Sequence, residues 1–61
     1  MNNYAFYVRS AGGGFRYLCI AFFNRDDEAA ALALRLVPHC GGVDVWRDQK
    51  RVGLFLAADA A

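Results

Sequence analysis

The chain has 61 residues, 57% of them hydrophobic and 15% aromatic, which excludes a disordered tail or a low-complexity linker. That length holds one small domain, spanning 1–61, near the size at which a single core becomes marginal without a disulfide, a metal or a second subunit. Seven Lys and Arg against six Asp and Glu leave a net charge of +1, too near balance to draw nucleic acid, an anionic membrane or an acidic substrate by long-range attraction.

Residues 4–9 alternate, with Tyr4, Phe6 and Val8 on one side and Ala5, Tyr7 and Arg9 on the other, as in a strand of aromatic and β-branched residues. SAGGG at 10–14 breaks the alternation, and its glycines permit the positive φ of a hairpin loop. Residues 15–23 then read as a longer strand. Leu18, Ile20 and Phe22 fall on one face and Phe15, Tyr17, Cys19, Ala21 and Phe23 on the other, so both faces are apolar. An antiparallel sheet with one wet face would show polar residues at alternate positions. Phe15, Tyr17, Cys19 and Phe23, with Tyr7 beside them, are therefore the candidate interface residues.

The segment 26–37, DDEAAALALRLV, has helical composition. Asn24 or Asp26 supplies a cap, Asp27 and Glu28 meet the positive end of the helix dipole, and Pro38 with Gly41 and Gly42 is expected to close about three turns. At about 100° per residue, Ala29, Leu32, Ala33 and Leu36 share a face, flanked by Val37 and Ala30, with Leu34 at its far margin.

After the helix, VDVWR at 43–47 alternates Val43, Val45 and Arg47 against Asp44 and Trp46. A polar turn at 48–50 leads into RVGLFL, with Val52, Leu54 and Leu56 expected on one face. Gly53 leaves room for a bulky neighbour, for which Trp46 is the candidate. The tail 57–61, AADAA, is expected to fray. The order is ββαββ, an α+β fold in which two hairpins form a four-stranded, mainly antiparallel sheet with one helix packed across one face. Such a sheet leaves edges that can pair with a second copy.

The helix start Asp26, Asp27, Glu28 and Ala29, together with Val43, Asp44, Val45, Trp46 and Arg47 and the returning Arg51 and Val52, resembles a group of short, uncharacterised bacterial ββαββ proteins. The likeness covers roughly the C-terminal two-thirds of the chain and departs at the SAGGG loop, where those proteins carry a more polar turn. It implies the fold and brings no activity with it.

No catalytic, cofactor or metal site is expected. His39 and Cys40 are of zinc-ligand type, with Cys19 as a conceivable third, but no paired spacing accompanies them. The same two side chains, adjacent in sequence, make a poor nucleophile and base. Gly12, Gly13 and Gly14 precede a strand and carry no lysine, unlike a phosphate loop. Cys19 and Cys40 are expected as free thiols. No run approaches the ~18 apolar residues of a membrane span, and the first residues lack the pattern of a secretory signal, so the expected location is cytoplasmic. These features describe a small non-enzymatic module that forms a homodimer and binds protein through a sheet edge or its aromatic face. The alternative is single-stranded nucleic acid on Arg9, Arg16, Phe15 and Tyr17, which the charge balance disfavours.

Overall fold

The computed structural model describes residues 1–10 and 12–57. Four strands, β1 (Asn2–Arg9), β2 (Phe15–Phe23), β3 (Gly42–Arg47) and β4 (Lys50–Leu56), and one helix, α1 (Asp26–Cys40), follow in the order ββαββ. The strands form one antiparallel sheet in the order β2-β1-β3-β4. Each hairpin thus contributes its first strand to the centre and its second to an edge, and the seam is the pairing of β1 with β3.

One face of the sheet carries the core. Tyr4, Phe6 and Val8 of β1 and Val43 and Val45 of β3 are buried against Ala29, Ala33 and Val37 of α1. Two alanines and a valine at four-residue spacing let the helix axis approach the larger side chains of the sheet, while Leu32 and Leu36 close its flanks. The helix lies mainly over β3 and β4. Over β1 and β2 the aromatic rings fill what it leaves, with Phe23 packed at 6.0 Å from Tyr4 and 6.5 Å from Phe6 between ring centroids.

Both ends of α1 differ from the sequence expectation. The capping position is Arg25, not Asn24 or Asp26. A guanidinium only donates, so the first turn is held instead by Glu28, whose Oε1 accepts from the N–H groups of Asn24 and Arg25 at 3.2 and 3.1 Å. Asp26 faces the sheet, where its Oδ1 accepts from the Tyr4 hydroxyl at 2.7 Å and from Arg47 Nη1 at 3.1 Å. At the other end the helix continues through Pro38 to Cys40. The carbonyl deprived of a partner by Pro38 is that of Leu34, on the exposed side of the helix, where water can satisfy it. Gly41 ends the helix at φ 81°, donating to the Val37 carbonyl at 2.8 Å.

Each edge strand carries a register shift. Phe6 pairs with Cys19 and Tyr7 with Tyr17, leaving Leu18 without a partner. Val45 pairs with Gly53 and Trp46 with Arg51, leaving Val52 without one. These are β-bulges, and each swaps the faces of the residues beyond it. Val52 consequently packs on the core with Phe55, apart from Leu54 and Leu56, which are exposed. The neighbour that needs Gly53 is Phe55, not Trp46: a Cβ at residue 53 would stand 2.8 Å from Phe55 Cζ. Of the tail expected to fray, Ala57 donates its N–H to the Gly41 carbonyl at 3.1 Å, and residues 58–61 lie outside the described residues. In the first hairpin loop the Ser10 N–H donates to the Gly14 carbonyl at 2.7 Å, and Gly13 adopts φ 93°.

Candidate functional site: the open face of the sheet

The helix covers one face of the sheet, and the other lies open. Directly paired residues of an antiparallel sheet share a face, so the register places side chains in rows across the open side. The row through Ala5 reads Ile20, Ala5, Trp46, Arg51; the row through Tyr7 reads Tyr17, Tyr7, Asp44, Leu54. Beyond Tyr7 stand Phe15, Arg9, Gly42 and Leu56, and Gly42 admits its neighbours so closely that a Cβ there would meet Leu56 Cδ2 at 3.0 Å and Arg9 Cβ at 3.4 Å. On the other side of Ala5 lie Asn3 and Phe22.

The Leu18 bulge divides the expected interface set. Phe15 and Tyr17 are exposed on the open face, and Tyr7 packs edge-on against Tyr17 at 5.9 Å. Cys19 and Phe23 do not join them, because the extra residue reverses the alternation and turns both toward the core. Ile20 and Phe22, read from the sequence as opposite Phe15 and Tyr17, take their places. Arg16 pairs with Val8, a residue of the covered face, and is therefore separated from Arg9, Phe15 and Tyr17.

Phe15, Tyr17, Ile20, Phe22, Leu54 and Leu56 are each between 39% and 56% exposed. With an aromatic side chain offering about 150–250 Å², they leave roughly 600 Å² of apolar surface in two strips, Phe15, Tyr17, Ile20 and Phe22 along β2 and Leu54 and Leu56 along β4, with Tyr7, Arg9, Gly42 and Asp44 between them. The β2 strip alone, roughly 400 Å² on the same footing, lies within the ~300–600 Å² of the largest patch on a typical soluble monomer, a patch that is often functional.

At the centre of this face sits a polar group that alternation alone does not reveal. Asp44 is buried, and Arg51 forks onto it with Nε to Oδ1 and Nη2 to Oδ2 both at 3.0 Å. The same guanidinium lies over Trp46, 5.2 Å from the ring centroid. A planar cation that both stacks and donates in parallel is the arrangement arginine favours. Beside it a concavity of about 420 Å³ is lined by Ala5, Tyr7, Phe15, Asp44, Trp46 and Asp48. Ala5 forms its floor, since a methyl group there cannot fill the space between Tyr7 and Trp46. The sequence held one signal for the pair: an aspartate alternating with valines across from an arginine in a hairpin.

No family model, curated protein or solved structure matches this chain.

Cys40 Sγ donates to the Leu36 carbonyl at 3.1 Å, and both cysteines are free thiols. Among the described residues no group of three or more His, Cys, Asp or Glu side chains converges in metal-binding geometry, and no helix is long and apolar enough to cross a membrane.

Proposed function

We propose that the chain is a small, non-enzymatic interaction module that self-associates through the open face of its sheet. The observation that carries this reading is the exposed apolar surface on the face opposite the helix, roughly 600 Å² per copy over its two strips by the side-chain areas above. It approaches the ~800 Å² per partner of a standard stable interface. Two such faces packed together give a sandwich of two sheets with strands aligned to about 30°.

The alternative route, edge to edge, has less in its favour. Both edges carry a bulge, at Leu18 and at Val52, and β4 adds Lys50 and Arg51. Bulges and basic side chains are the devices by which edge strands resist pairing. A single nucleic-acid strand on this face would meet the carboxylates of Asp44 and Asp48 beside its aromatic rings, without the help of Arg16 on the opposite side.

The test is absolute mass by light scattering over a range of concentrations under reducing conditions. The wild-type chain is expected to reach twice 6.7 kDa. Tyr17→Glu, which sets a charge in the patch without touching the core, is expected to remain at the single-chain mass with an unchanged circular-dichroism spectrum. A wild-type mass of one chain at every concentration overturns the reading.

A further inference from the structure

Two carboxylates, those of Asp44 and Asp48, line the concavity over Ala5. Arg51 satisfies Asp44, whereas Asp48, exposed on the turn at φ 56°, takes part in no salt bridge among the described residues. Arg9, on the same open face, is likewise in none. Within one copy these two charges lie toward opposite ends of the face, since Arg9 stands beyond Tyr7 and Asp48 follows Trp46 past the Ala5 row.

We propose that a second copy of this chain completes the concavity by inserting Arg9 beside Asp48 and Trp46, about a two-fold axis that crosses the strands between the Ala5 and Tyr7 rows. The inference rests on the self-association reading above and assigns its geometry. A crosswise axis reverses the order of the rows. It sets Tyr7 of each copy over the hollow at Ala5 of the other. Arg9 then comes to the end of the face where Asp48 lies, offset by one strand, about 4.8 Å in the plane of the sheet across a gap of about 10 Å between sheets, which an arginine and an aspartate side chain span together. Because a two-fold contact is isologous, the pair occurs twice.

Two further features favour this axis over one running along the strands. The crosswise axis lays β2 over β2, so that Phe15 meets Phe22 and Tyr17 meets Ile20, apolar against apolar. Either axis sets one apolar residue over Arg51, Leu54 in the crosswise case and Ile20 in the lengthwise one, but the lengthwise axis also sets Arg9 against Gly42, where no carboxylate stands. The chain also already displays the chemistry required: Arg51 lies over the Trp46 ring and bonds the Asp44 carboxylate, both of which line the concavity. Arg9 of the second copy finds a second carboxylate and the remaining aromatic walls.

The experiment is a charge exchange read by sedimentation equilibrium at low salt. Arg9→Glu and Asp48→Lys, each alone, are expected to weaken the dimer at least about tenfold, since each removes both copies of the pair and adds repulsion. An equimolar mixture of the two variants is expected to recover near wild-type affinity, because Glu and Lys then face each other while native Arg9 faces native Asp48. Arg16→Glu, on the covered side of the sheet, is expected to dimerise as wild type does. Should lysine at φ 56° disturb the turn, Asp48→Asn keeps a residue suited to positive φ and is expected to weaken the dimer by about threefold, the loss of attraction without added repulsion. A dimeric wild type whose Arg9 and Asp48 variants dimerise equally well, or whose mixture shows no recovery, overturns this geometry and leaves the self-association reading standing. A monomeric wild type overturns both.

Discussion

Arg51 illustrates how far one side chain can reach in a chain this small. It neutralises the buried carboxylate of Asp44 and covers a face of Trp46, yet its own side chain is 51% exposed. The exposure tempers its contribution, because water can partly replace it. Arg51→Met is nevertheless expected to lower stability by about 1–2 kcal/mol in urea denaturation, since it strands a buried acceptor. The matching control is Arg25→Met. Its partner Asp27 is 70% exposed, and the change is expected to stay within about 0.5 kcal/mol. Equal losses in the two variants would show that Asp44 is solvated in the absence of Arg51. The sequence shows an aspartate between valines and an arginine seven residues on across a turn, but not their pairing, because the Val52 bulge that brings Arg51 opposite Trp46 leaves no mark in it.

The elements themselves were legible. Their number, type and order follow from alternation, glycine runs and one alanine-rich segment. The errors fall where a single residue changes the phase. A period of two carried through residues 15–23 assigns Cys19 and Phe23 to the face of Phe15 and Tyr17, and Leu18 breaks that period without any compositional mark. Pro38 misleads in the opposite sense, since a proline near a helix end is tolerated where the carbonyl it orphans points to solvent. The helix face matches the one its periodicity implies, except that its centre runs through Ala29, Ala33 and Val37 rather than through the leucines. Ala33 is fully buried, so its small size sets the separation of helix and sheet. Ala33→Leu is accordingly expected to cost about 1–3 kcal/mol by overpacking, while Leu34→Ala, on the solvent side, stays within about 0.5 kcal/mol. Thermal melts of the two variants measure the difference, and a neutral Ala33→Leu would mean that the helix can lift without penalty.

For the whole molecule, an apolar excess on both faces of β2 was readable from composition, and it pointed to a covered second face. The polar centre of that face was not, because it depends on which strands are neighbours. The seam between β1 and β3 brings Ala5 level with Trp46 and Tyr7 with Asp44, and strand order cannot be read from alternation. If the open face is used between copies, stability becomes a function of concentration. The melting temperature of the wild-type chain is expected to rise as protein concentration rises, by mass action on the native dimer, and that of Tyr17→Glu to remain constant. Calorimetry over a hundredfold dilution, roughly 2.7 kcal/mol of linkage at the saturating limit, reads the difference directly.

The same seam governs how the chain assembles in time. Each hairpin closes over a short loop, a microsecond event in isolated peptides, whereas pairing Val8 with Val43 must await a contact between remote parts of the chain. Loop-closure entropy grows only slowly with length, and the 15 residues of α1, once helical, are a rod of about 22 Å that removes much of the intervening slack. Folding thus becomes the docking of two local units joined by a stiff strut, with the central strands, the most protected in the finished sheet, the last to find each other.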